Sequence, residues 1–208
     1  MFGRRSYQRF SVAGSPAGTL RVLRDVLIER VGPGEVVAIG RHPAAADDVL
    51  TLEASERGNV LPVRVLESRP TLVEGTVRHR LSLSMIDKTA ESPLTQPEGA
   101  VNGSGSSLAV LAKTIPVRLL NCSSCGCLLE CFAPMDIALI ASVHIAMDGE
   151  ELADDMHIVR CQQIEGSSRY HVGGEFLWTG PPSRHSLRLF HARLAQDLSS
   201  FSMTKLPD

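Results

Sequence analysis

The densest group of chemically reactive side chains is a cysteine cluster, formed by Cys122, Cys125, Cys127 and Cys131. Thiolates at this density are able to bind zinc or an iron–sulfur cluster. A closed zinc site usually draws paired ligands from separate loops, whereas Cys127 and Cys131 fall within one predicted strand, on one face and about 13 Å apart. The remaining candidate partners are Cys161, His144 and His157. The spacing favours small buried hydrophobic side chains, and we assign no metal ligands.

Three arginines near the N-terminus suit an anionic ligand. Arg5 and Arg9 lie four residues apart, beside Arg4. Guanidinium forks match phosphate oxygens and the O6/N7 edge of guanine, since both accept two hydrogen bonds. The alternative interpretation is a solvated basic tail.

A second polar pattern, Asn121-x-Ser123-x-x-Gly126, lies between two predicted strands. Asn and Ser are able to cap a turn and to offer polar groups to a ligand. Gly126 permits a positive φ and a close approach of other groups. The alternative is an ordinary turn with no ligand.

Catalytic patterns are scarce in this sequence. It contains no G-x-S-x-G, H-E-x-x-H or P-loop motif, and its seven histidines show no ligand spacing. Three acidic pairs lie in turn-like contexts, and adjacent side chains on an extended chain point apart: Asp47-Asp48, Glu150-Glu151 and Asp154-Asp155. We therefore predict a protein that is not an enzyme and has no cofactor.

Composition narrows the class of partner. The chain has 208 residues, of which 43% are hydrophobic, and its 21 Lys and Arg against 23 Asp and Glu give a net charge of −2. Nothing global attracts it to DNA, RNA or an anionic membrane. The longest apolar stretch, from Ile137 to Met147, is too short to span a bilayer. The first ten residues are not followed by the apolar region of a secretory signal, so we do not expect one there. The number of cysteines, five, is odd, and four of them are clustered, which is not the pattern of a disulfide framework. This indicates a reducing compartment, so we predict a cytoplasmic protein.

The elements that must position these residues are predicted to be mainly β, in two modules. Residues 87–107 have linker composition and separate a module at 1–86 from one at 108–200. Each module reads as a small antiparallel β-barrel of short strands and turns. The predicted strands are Leu20–Ile28, Val36–Ile39, Val49–Glu53, Leu61–Leu66 and Thr76–Met85, then Thr114–Asn121, Cys127–Phe132, Ile137–Met147, His157–Ile164 and Tyr170–Phe176.

A C-terminal α-helix is predicted after the second module. Pro181-Pro182-Ser183 gives a start signal, and an apolar stripe follows at helical spacing, formed by Leu187, Phe190, Leu194 and Leu198.

The sequence resembles the PilZ domains, bacterial receptors for cyclic di-GMP. Arg5-x-x-x-Arg9 and Asn121-x-Ser123-x-x-Gly126 match the two PilZ signatures, R-x-x-x-R and D/N-x-S-x-x-G. The likeness is fullest over about 90 residues, from Leu111 to near Ser200, where the later strands and the final helix also correspond. The resemblance implies a six-stranded antiparallel barrel.

The resemblance also implies roles for the site residues. Arg5 and Arg9 would bind guanine edges and phosphates, with Arg4 as a helper. Asn121 and Ser123 would contact the other guanine or position the turn, and Gly126 would permit its geometry.

The chain departs from the family pattern in one respect. The arginine motif usually lies shortly before the turn, but here more than 100 residues intervene, and the segment 110–119 offers only Lys113 and Arg118. The first module begins with R-x-x-x-R and has barrel-like strands but no D/N-x-S-x-x-G turn. This pattern favours a divergent PilZ-like barrel, from a duplication that split the signatures. Otherwise the arginine arm must fold onto the second barrel of its own chain or of a second subunit in a homodimer.

The function predicted from these observations is a bacterial signalling protein. It would bind cyclic di-GMP and pass the signal to a protein partner through an exposed barrel face. The alternative is a degenerate PilZ scaffold that binds no nucleotide and acts through protein contacts alone.

Overall fold

The protein is almost entirely antiparallel β-sheet. A computed structural model describes residues 10–12, 14–54, 59–86, 107–147 and 149–190. Within these ranges there are eleven strands: β1 (Phe10–Ser11), β2 (Ala17–Gly32), β3 (Glu35–Gly40), β4 (Val49–Ala54), β5 (Asn59–Val73), β6 (Thr76–Met85), β7 (Ser107–Ser123), β8 (Gly126–Cys131), β9 (Ile140–Met147), β10 (Glu150–Gln163) and β11 (Tyr170–Phe176). The predicted fold class, mainly β, is confirmed.

Each predicted strand corresponds to an observed one, and β6 and β11 have the predicted bounds. The largest differences are two early starts and one late end, because β7 begins at Ser107, β10 begins at Glu150 and β5 continues to Val73. The assignment of Glu150-Glu151 and Asp154-Asp155 to turns was wrong, since both pairs lie within β10. A strand with one solvated face accepts charged residues without interruption.

Contacts group the chain into two compact units that are not consecutive segments. One contains the described residues up to Arg21 together with those from Ile115, and the other contains Val22–Thr114. The division falls within β2 and within β7. The predicted domains, 1–86 and 108–200, stay a prediction, and the predicted linker lies outside the described residues except for Ser107.

In the unit Val22–Thr114, the strands follow the order β7-β4-β5-β6-β3-β2. Their inward faces form one apolar core, which includes Val36, Leu52, Val63, Leu81 and Leu83. Gly34, in the tight connection between β2 and β3, has a φ of 76°, which side-chain-bearing residues rarely adopt.

In the other unit, the order is β2-β9-β10-β11-β8-β7, and β1 pairs with β7. β2 and β7 stand at the two ends of both series and also pair with each other, which closes the strands into a ring. The core of this unit is built from fully buried side chains, among them Leu20, Leu119, Leu129, Ile145, Met156 and Leu187.

Alternating faces were predicted for β6 and β9, and burial follows that alternation. Leu81, Leu83 and Met85 are buried in β6, as are Val143 and Ile145 in β9. The predicted faces fail at Val77, near the start of β6, and at Ile137, which precedes β9, and these two side chains are 62% and 60% exposed.

The segment after β11 is anchored by a buried ion pair. The Arg188 guanidinium lies 2.9 Å from the Asp154 carboxylate, with side chains only 10% and 4% exposed. The Ser186 hydroxyl also donates to Asp154 at 2.6 Å, and Arg188 lies over the Trp178 ring, 5.1 Å from its centroid. Because this carboxylate is buried, losing its hydrogen-bond and ion-pair partners would leave an uncompensated charge and destabilise the fold.

A helical turn begins at Leu187, and the described residues end at Phe190. Leu194 and Leu198, which complete the predicted stripe, lie outside the described residues. Among the described helical residues, none forms a segment long and apolar enough to cross a membrane.

Arg188→Ala is expected to lower the free energy of unfolding by about 3–5 kcal/mol, because it leaves the Asp154 carboxylate buried without a counter-charge. Arg184→Ala, an exposed arginine of the same segment, should change it by no more than about 0.5 kcal/mol. Urea denaturation of both variants measures the difference. Equal midpoints would contradict a structural role for the ion pair.

Candidate functional site

The predicted Asn121–Gly126 turn is a tight hairpin that joins β7 to β8. Ser123 pairs with Gly126 across the hairpin, and the two residues between them make the turn. The Ser123 hydroxyl donates to the Gly126 carbonyl oxygen at 3.1 Å, and Ser123 is only 4% exposed. Ser123 therefore positions the turn from inside.

Gly126 is required by packing and not by its backbone conformation. Its φ is not positive, so that part of the prediction was wrong. The predicted close approach is confirmed, because a Cβ at this position would lie 2.1 Å from the Gly174 carbonyl oxygen in β11. Any side chain would therefore separate β8 from β11.

The start of the described chain lies beside this turn. In β1, Phe10 pairs with Cys122 and Ser11 pairs with Asn121. The Val12 amide donates to the Leu120 carbonyl oxygen at 3.2 Å, which extends the pairing. Arg4, Arg5 and Arg9 lie outside the described residues, but the chain that follows them is hydrogen-bonded to the strand that carries Asn121.

Lys113 and Arg118, the two other cationic residues shortly before the turn in sequence, are not placed to take the role predicted for these arginines. The Lys113 ammonium group lies 2.6 Å from the Asp48 carboxylate, within the unit Val22–Thr114. Arg118 is exposed on β7, opposite Glu130 of β8.

A cavity of about 260 Å³ opens beside the turn. A row of paired positions crosses four strands there, from Asn121 to Leu128, Gly173 and Arg160. Gly173 has no side chain to fill the row, and the Arg160 side chain lies over it, with Nε 3.8 Å from where a Cβ would be. The glycine therefore forms a floor between Leu128 and Arg160.

Sequence analysis missed Arg160 and Glu175, which also line this cavity. A β-bulge between Ile158 and Arg160 interrupts the alternation of β10, so that Val159 and Arg160 are both exposed. Strand periodicity alone would have placed one of them inward. The consecutive glycines 173 and 174 were the available signal, since glycine within a strand often marks a close approach.

The cysteine cluster behaves as apolar packing. Cys127 and Cys131 lie on the buried face of β8, as the period of the strand predicted. Burial raises the pKa of the Cys122 thiol to about 12 and raises the pKa values of Cys127 and Cys131. Among the described residues, no three His, Cys, Asp or Glu side chains are grouped to hold a metal ion.

Comparison with known proteins gives structural neighbours only. No family model and no curated protein matches the chain. Apo MrkH from K. pneumonia is 13% identical, over 86% of this chain and 87% of that chain, with a TM-score of 0.33. YcgR from Escherichia coli, in complex with c-di-GMP, is 12% identical over 88% and 85%, with a TM-score of 0.33.

PlzA from Borreliella burgdorferi, in complex with c-di-GMP, is 9% identical over 90% of this chain and 93% of that chain, with a TM-score of 0.27. These neighbours are PilZ-domain proteins. TM-scores of this size leave the function to be argued from the residues of this chain.

Gly126→Ala is expected to lower the free energy of unfolding by about 1–3 kcal/mol, because the new Cβ would displace the Gly174 carbonyl oxygen. Gly180→Ala is the matched control, since no atom lies within 4 Å of its new Cβ. Urea denaturation should show the control unchanged or slightly stabilised. A Gly126→Ala protein as stable as the control would contradict the close packing.

Alkylation at pH 8 should distinguish the thiols of the cluster. Because the raised pKa values keep Cys122, Cys127 and Cys131 protonated and burial restricts access, they should react with iodoacetamide only after denaturation. Cys125 is only partly buried and should react in the native protein. Peptide mass spectrometry before and after urea treatment measures this order, and early labelling of Cys127 would contradict it.

Proposed function

We propose that the protein is a non-enzymatic bacterial receptor for cyclic di-GMP, which binds at the Asn121–Gly126 turn. The observation that carries this proposal is the pairing of Ser11 with Asn121. It supports a single site that uses both PilZ-like signatures of the sequence.

The pairing explains how two signatures that are far apart in sequence could serve one site. Arg9 directly precedes Phe10 in the sequence, and Phe10 pairs with Cys122. Residues 22–114 form a separate unit along the chain between the two signatures. The long sequence separation is therefore compatible with one site on one chain.

The ligand chemistry fits the residue types. Cyclic di-GMP carries two phosphates and two guanines, and arginine forks suit both. The Asn121 carboxamide has no side-chain hydrogen-bond partner among the described residues, so both its donor and its acceptor are available to a base. With a net charge of −2 on the whole chain, attraction of this anion must come from the local arginines.

A binding role suits the turn better than catalysis. The hydroxyl of Ser123 is engaged within the hairpin, and among the described residues that line the cavity there is no histidine or lysine to serve as its base. The proposal therefore assigns the output to a cytoplasmic protein partner that senses the bound state.

Isothermal titration calorimetry with cyclic di-GMP tests this function. The wild-type protein should bind with a micromolar or lower Kd. Arg5→Ala, Arg9→Ala and Asn121→Ala should each weaken binding, and each arginine variant by about 10- to 100-fold, because charge-assisted hydrogen bonds are lost. Arg30→Ala, which removes an exposed arginine 3.9 Å from Glu35, is the matched control.

The contrary result would be absence of heat at micromolar ligand in a folded protein, with the arginine variants indistinguishable from wild type. That outcome would favour a scaffold that acts through protein contacts alone. Mixing the Arg5→Ala/Arg9→Ala double variant with Asn121→Ala separates one-chain from two-chain sites. Binding should stay weak if both signatures act within one chain, whereas recovery would indicate a homodimeric site.

A further inference from the structure

We infer that Arg160 and Glu175 form a guanine-recognition pair in the cavity beside the turn, and that they set the selectivity for guanine over adenine. This inference rests on the proposed function, since it names the residues that would read one base of the cyclic dinucleotide. It adds two residues that belong to neither sequence signature.

The two side chains are placed for joint contact with one planar group. Arg160 pairs with Gly173, and Glu175 lies two residues further along β11, so the two are diagonal neighbours about 7–8 Å apart. Both residues are exposed, and both line the cavity. Gly173 provides a flat floor beneath the Arg160 side chain.

Neither charged group is paired with another side chain in the part of the chain that the structure describes. Among the described residues, the side chains of Arg160 and Glu175 have no ion-pair or hydrogen-bond partner. Elsewhere on the same unit, Arg169 lies 3.2 Å from Glu130 across adjacent strands. Opposite charges that are neighbours and yet unpaired keep their hydrogen-bonding edges free for a ligand.

The guanidinium and the carboxylate together complement the hydrogen-bonding groups of guanine but not those of adenine. A guanidinium donates to O6 and N7 of guanine, while a carboxylate accepts from N1–H and the 2-amino group on the adjoining edge. Adenine presents an amino group where the guanidinium needs an acceptor, and an unprotonated N1 where the carboxylate needs a donor. Leaving such polar groups unpaired is what gives a site strong discrimination.

The size of the cavity also favours a single base. Its volume of about 260 Å³ lies below the roughly 300 Å³ at which pockets for drug-sized ligands begin. The remaining base and the phosphates would then lie outside it, toward the turn.

The test compares cyclic di-GMP with cyclic di-AMP by calorimetry on the full chain. Glu175→Gln should weaken binding of cyclic di-GMP about 10-fold and should narrow the difference in Kd between the two ligands, because glutamine is able to pair with adenine. Arg160→Ala should weaken the binding of cyclic di-GMP by about 10- to 100-fold. Glu165→Gln and Arg184→Ala are matched controls at exposed positions of the same unit.

The outcomes separate this inference from the proposed function. If wild type binds cyclic di-GMP and Glu175→Gln retains both its affinity and its selectivity within twofold, the recognition pair is wrong and the receptor function stands. If folded wild-type protein binds neither dinucleotide, both proposals are overturned. Circular dichroism of each variant confirms that the fold is retained before titration.

Discussion

The site depends on the hydrogen-bonded ladder of β7, which joins parts of the chain that are far apart in sequence. β7 pairs with β1 in register, Ser11 to Asn121, and with β8 around the turn. The Leu119 amide also donates to the Pro16 carbonyl oxygen at 3.0 Å. Because a shift of one residue would turn each side chain to the other face, this register fixes which residues meet at the cavity.

The cavity exists because two glycines beside it have no side chain. Gly126 allows close packing against the Gly174 carbonyl oxygen, and Gly173 leaves open floor below Arg160. The hairpin is then held from inside by Ser123, whose hydroxyl is committed to the turn. The backbone of the hairpin is therefore held by contacts within the chain itself.

Two pairs of opposite charges in the same unit illustrate different uses. Asp154 and Arg188 are buried and hydrogen-bonded, and they hold the segment after β11 in place. Arg160 and Glu175 are exposed and lack side-chain partners among the described residues. Leaving Arg160 and Glu175 unpaired costs little stability, because solvent hydrates both charges and exposed charges gain little from pairing.

The sequence by itself determined the turn and the approximate positions of ten of the eleven described strands. Strand and turn signals located β6 and β11 with their bounds, and Asn121, Ser123 and Gly126 marked the hairpin, because these are local properties of residue type and spacing. It could not place residues 10–12 beside Asn121, since register between distant strands depends on the whole ring. Nor could it identify Arg160, whose direction is set by a bulge, or Glu175, which reaches the cavity through pairing across β8 and β10. Those placements were decided only by tertiary structure, because hydrogen-bonded partners and side-chain direction across a sheet are non-local.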